Sequence, residues 1–194
     1  LAEHYGYHVY IITWEQGGHS IVYPLSPKVT HIDWGILFYR QYQYGLFKRM
    51  FMQWKMEKEF FKKLSNFVHT TQADIVIGAS CEFTTMAGMD LLQRKTHTIL
   101  ETHSMRTSIE KNNPPAGNLL MRWAFKRRDK QLHQYIKHMS AFVTLTHNDA
   151  KDWSDITPQA RIIPNMLHRY PAEISPDKKT QKRIITAGRL VEQK

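Results

Sequence analysis

Short apolar runs alternate along this chain with longer helical stretches, and that alternation limits the fold more than any other feature. "HVYIIT", "VTHIDWGI", "ADIVIGAS", "HTILETH", "AFVTLTH" and "ARIIPN" read as strands, bounded by turn-forming or polar residues. Between them, residues 47–68, "FTTMAGMDLLQRK", residues 117–139 and "NDAKDWSD" read as helices. Near-continuous apolar strands separated by helices suit a parallel sheet covered on both faces. The expected fold is therefore an α/β domain with a doubly wound parallel sheet. In such sheets a ligand lies outside the carboxyl ends of the strands. That directs attention to residues 14–19, 80–82, 101–106, 146–149 and 188–194.

The two ends read as interruptions. "LAEHYG" resembles the last turn of a helix closed by Gly6, and "RIITAG" is a strand whose apolar face calls for a following helix. The chain is expected to be an interior piece, truncated at both ends. "HRYPAEISPDKKTQKR" is polar, holds two prolines and lacks an apolar period, so it reads as a linker. The expected layout is an N-terminal domain at 1–168 without its first strand, a linker at 169–182, and the first strand of a second domain at 183–194.

Composition narrows the chemistry. At 194 residues one core can bury roughly 70% of the unfolded surface. No stretch approaches the roughly 20 apolar residues that cross a bilayer. A lone Cys81 excludes an intrachain disulfide, which points to the cytoplasm. The net charge of +10 implies an anionic partner: nucleic acid, lipid headgroups or a phosphorylated substrate. Eleven histidines raise the question of a metal. There is no HExxH or Cys-x-x-Cys spacing, and His133 and His138 are five apart, off a common helix face, so none is expected. Cys81 at a strand exit admits a thiol nucleophile with His103 as base, against the commoner role of a buried small hydrophobe.

"FYRQYQYGLFKRMFMQWKMEKEFFKKLSNFV" carries seven Lys or Arg, two Glu and a high density of aromatics. On a helix, Phe61, Leu64 and Val68 continue a stripe that packs on the sheet. The first half has more large apolar residues than one buried face can use. Lys48, Arg49, Phe51, Trp54 and Lys55 are thus candidates for a membrane-facing surface, with aromatics at the interface and cations at anionic headgroups.

The order of these pieces resembles family 4 glycosyltransferases. "LAEHYGYHVYIIT" is similar to the end of their first helix and their second strand. "YPLSPKVTHIDWGI" is similar to the third-strand region of the branch that builds capsular and O-antigen polysaccharides in bacteria. "ARIIPNMLH" resembles the hinge entry Ile-Pro-Asn, and "RIITAGRLVEQK" the opening of the second domain. The resemblance implies a GT-B fold of two Rossmann-like domains, of which this would be the N-terminal, acceptor-side one. It implies a hexosyltransferase, acting with retention and without a metal cofactor. The enzyme would move sugar from a nucleotide-sugar to a polysaccharide or lipid-linked acceptor at the inner face of the cytoplasmic membrane. By the same resemblance Arg189 and Lys194 would bind the donor phosphates and His103 would face the reacting sugars as the catalytic candidate, with Glu101 and Arg106 as acceptor-side candidates. The family's glycine-rich loop would lie before Leu1 and its glutamate pair beyond Lys194, so residues 1–194 alone are expected to be inactive. A basic α/β module that binds nucleic acid is the alternative, since basic helices with interleaved aromatics also suit stacking and phosphate contacts; no recognised nucleic-acid motif accompanies them.

Overall fold

The computed structural model describes residues 1–21, 23–92, 96–110 and 119–165. Leu1–Pro164 forms one compact unit; the expected linker and the strand bearing Arg189 and Lys194 lie outside the described residues. The chain begins with one helical turn, α1 (Ala2–Tyr5). Gly6 closes it at φ 70°, a left-handed conformation that glycine adopts without a Cβ clash. Strands β1 (Val9–Thr13) and β2 (Val29–Asp33) follow and pair in parallel, Val9 opposite Val29 and Thr13 opposite Asp33.

A 3-10 helix (Phe38–Gln43) leads into the long helix α2 (Leu46–Thr71). Then come β3 (Ile75–Gly78), α3 (Phe83–Asp90), β4 (His97–Glu101) and the short α4 (Arg106–Ile109). The order ends with α5 (Leu119–His138), β5 (Ala141–Thr144), α6 (His147–Asp152) and β6 (Arg161–Ile162). Strands β3, β4, β5 and β6 form a second parallel sheet in that order.

The fold is α/β with parallel sheets, as the alternation requires, but the described strands make two sheets instead of one. One face of the second sheet is well covered. Leu100 and Phe142 pack there with Met86 and Met89 of α3, Leu132 and Ile136 of α5, and Trp153. On its opposite face Ile75 and Ile77 remain 52% and 51% exposed, so the apolar run "IVIG" has one buried side. Among the described residues β3 pairs on one edge, with β4, and β1 on one edge, with β2.

Helix α2 joins the two sheets through its inner stripe. Phe67 meets Tyr10 of β1 edge-on at 5.2 Å, and Phe60 meets Trp14 and Trp34 at 5.1 and 5.7 Å. On the other side a Cβ at Gly88 of α3 would come within 2.9 Å of Phe60 and 3.0 Å of Leu64, so glycine sets the approach of α2 to α3. We predict that Gly88→Ala overpacks this contact and lowers stability by about 1–3 kcal/mol. Gly45→Ala, where a Cβ meets nothing within 4 Å, serves as the reference. Equal urea midpoints for the two variants would refute the close-approach account.

Candidate functional site

The loop that leaves β1 is shaped by Asp33 at the end of β2. The Thr13 hydroxyl lies 3.0 Å from Asp33 Oδ1 and 3.0 Å from His31 Nε2, and the Gly17 amide donates to Asp33 Oδ2 at 3.2 Å. Burial raises the pKa of the Asp33 carboxyl, but hydrogen bonds from Thr13 and from the backbone at Gly35, Gln16 and Gly17 outweigh it and hold it below the usual range. Gly17 and Gly18 take φ 66° and 85° to make the turn. Leu37 then enters the left-handed region at φ 56°, a strained choice for a branched residue, held by its amide donating to the Trp14 carbonyl at 3.0 Å. This strained joint aims the 3-10 helix at the β1 loop.

Between them lies a cavity of about 300 Å³. Trp14, Phe38, Tyr39, Tyr42 and Phe60 supply aromatic walls, and Glu15 and Glu82 follow β1 and β3 at their carboxyl ends. Its polar lining is Gln41, Gln53, Thr84 and Thr85. Glu57 organises part of it by accepting hydrogen bonds from the Gln53 amide nitrogen and, at 3.1 Å, from the Thr84 hydroxyl. That arrangement leaves Gln53 Oε1 buried with no partner in the protein, and the same holds for Thr85 Oγ1, whose residue is 5% exposed. A buried polar atom without a partner costs about 1–3 kcal/mol. Both residues border the cavity, but these two oxygens are themselves closed off from solvent. Burial, and then the like charge of Glu15, push the Glu82 carboxyl above its usual range even though part of the side chain reaches solvent.

The residues singled out from the sequence divide into groups. His103 and Glu101 stand at the exit of β4, His103 exposed with Nε2 3.7 Å from Glu101 Oε2; neither lines the cavity. Arg106, the other acceptor-side candidate, is engaged within the protein. Its Nε donates to Glu110 at 2.7 Å, its two terminal nitrogens grip both Asp155 oxygens, and it also donates to the Asp152 carbonyl. The guanidinium rests 5.1 Å from the Trp153 ring centre. Arg106 is a tie between α4 and the segment after α6.

Cys81 is half-buried just past β3 and matches the role of a small hydrophobe. Burial pushes its thiol up to about 11, and the thiol points to the Glu101 carbonyl at 3.9 Å. His133 pairs with Glu110 at 2.6 Å and His138 with Asp90 at 2.9 Å. Among the described residues no group of three or more His, Cys, Asp or Glu is placed to hold a metal ion. Arg189 and Lys194 lie outside the described residues.

Glu15 and Glu82 fell inside the strand-exit windows without being singled out, and Gln41, Gln53, Thr84 and Thr85 were missed. Their common signal is spatial, because the 3-10 helix, α2 and α3 meet only in the fold. Compared with family models, with curated proteins and with solved structures, the chain matches none.

The Arg106–Asp155 pair generates a pH prediction. Hydrogen bonding from Arg106 lowers the Asp155 pKa from its ordinary 3.8, so the pair's stabilisation is complete above that value and is lost as pH falls through the depressed one. Asp155→Asn should therefore melt below wild type near neutral pH, and the difference should close on acidification. A difference that does not change with pH would show that the pair contributes no charge-dependent stability.

Proposed function

We propose that this chain is the acceptor-side domain of a GT-B glycosyltransferase that moves a sugar from a nucleotide-sugar to a polysaccharide or lipid-linked acceptor with retention. The observation that supports it is the cavity at the strand exits, where the aromatic walls of Trp14, Tyr39 and Tyr42 stand beside the polar side chains of Gln41, Gln53, Thr84, Thr85, Glu15 and Glu82. A pyranose has apolar C–H faces that stack on aromatic rings and hydroxyls at its edge that hydrogen-bond amide, hydroxyl and carboxylate groups. Glu15 and Glu82 add acceptors for further hydroxyls. They also repel a nucleotide diphosphate, so the cavity suits the acceptor and leaves the donor elsewhere. Arg189 and Lys194 remain the donor-phosphate candidates by resemblance, where fixed cations would offset charge gathering on the leaving diphosphate. His103 at the β4 exit is proposed to hydrogen-bond the reacting sugars.

The test is binding of neutral mono- and disaccharides to residues 1–194, followed by tryptophan fluorescence. Quenching or enhancement that saturates, disappears in Trp14→Phe and weakens about tenfold in Glu82→Gln, the loss of one hydrogen bond to a charged acceptor of about 1.5 kcal/mol, is expected. No saccharide response, or a response indifferent to Glu82→Gln, would remove the cavity from the reading. In a chain that includes the donor-side domain, Arg189→Ala should lower kcat about 10²-fold. His103→Ala should lower transfer with an unchanged melting temperature, whereas early melting with normal specific activity would make His103 structural.

A further inference from the structure

Two helices of one layer carry exposed apolar residues set among cations. Both α2 and α5 pack against α3, and each leads into a strand of the parallel second sheet, α2 into β3 and α5 into β5. Their N-terminal ends therefore lie at the carboxyl-end side of that sheet. With 26 and 20 residues they extend about 39 and 30 Å, against roughly 17 Å for a strand of five residues. The N-terminal half of each overhangs the sheet.

Those overhangs are apolar on the outside. On α2 the buried residues Met56, Phe60 and Val68 face inward, while Phe47, Phe51 and Trp54 project away from them and Met50 is exposed nearer the N-terminus, Phe47 being 87% exposed. Lys48, Lys55, Lys58 and Lys62 are exposed alongside them, with Lys58 at 5.2 Å from the Trp54 ring centre. On α5, Leu132 and Ile136 face inward, while Leu119 and Trp123 stand 79% and 59% exposed. Lys126, Arg127 and Lys130 flank them on the outer face, and Arg127 lies 5.5 Å from the Trp123 ring centre. Large exposed apolar residues set among cations match an anionic bilayer surface, where the rings enter the interface and the cations meet headgroups. Tyr39 and Tyr42, just before α2, line the cavity and are themselves exposed.

We propose that the overhanging ends of α2 and α5 form a two-pronged docking surface for anionic membrane. The docking stands whether or not the cavity holds a sugar.

The test is co-sedimentation of residues 1–194 with phosphatidylcholine vesicles, with and without phosphatidylglycerol. Binding should require the anionic lipid and fall when salt is raised from about 0.1 M to about 1 M, where screening contracts from roughly 10 to 3 Å. The triple substitution Lys48→Gln, Lys55→Gln, Lys58→Gln should weaken binding about tenfold or more, and so should Lys126→Gln, Arg127→Gln, Lys130→Gln. In the unmodified chain, brominated lipid should quench part of the tryptophan emission, a readout that needs no substitution. Binding unaffected by salt and lipid charge, or by the second triple substitution, would overturn the two-pronged surface. So would tighter binding to a single-stranded oligonucleotide than to vesicles, or self-association abolished by Phe51→Ser.

Discussion

The packing of Phe60 is the constraint on which the rest of the described structure depends. Its ring touches Trp14 and Trp34 beside the first sheet, Phe38 in the 3-10 helix and Phe61 within α2, all at tilted or edge-on angles. Across the helix it fills the space that Gly88 leaves open. A single buried side chain therefore fixes α2 against β1, β2 and α3 together. Lys63 adds a polar tie one turn on, donating to the Trp34 carbonyl at 2.9 Å.

That same ring forms part of the cavity wall, so stability and ligand chemistry share an anchor. The surrounding geometry is fixed by hydrogen bonds: Asp33 holds the β1 loop and Glu57 orients Gln53 and Thr84. Such fixed donors and acceptors lower the ordering cost of binding. The strained φ of Leu37 sits in this setting, where backbone strain is commonly stored. Beyond the cavity, α2 continues outward with nothing to cover its second apolar stripe among the described residues.

Periodicity made the strands and long helices legible, down to the Gly6 cap, because each is set by local residue pattern. "FYRQYQ" gave no period, so the 3-10 helix was missed; its start depends on the Leu37 conformation, which no leucine advertises. "IVIG" reads as buried on both faces. A continuous apolar run marks a strand but carries no information on how many faces are covered, and Ile75 and Ile77 are the result. Excess aromatics in the first half of α2 did foretell an exposed stripe, since one helix face cannot bury them all. A strand-exit arginine such as Arg106 looks the same in sequence whether it awaits a phosphate or already grips Asp155. Gln41 and Gln53 had no local signal at all.

The central claim is that α2 has two apolar faces with different duties, an inner one that holds the fold and an outer one free for a partner. The most direct measurement is urea unfolding of Phe60→Ala beside Phe51→Ala. Phe60 is 2% exposed and Phe51 59%. The account predicts a loss of about 3–5 kcal/mol for Phe60→Ala and a change within about 0.5 kcal/mol for Phe51→Ala. Comparable losses at both positions would contradict it, because the outer stripe would then be part of the core.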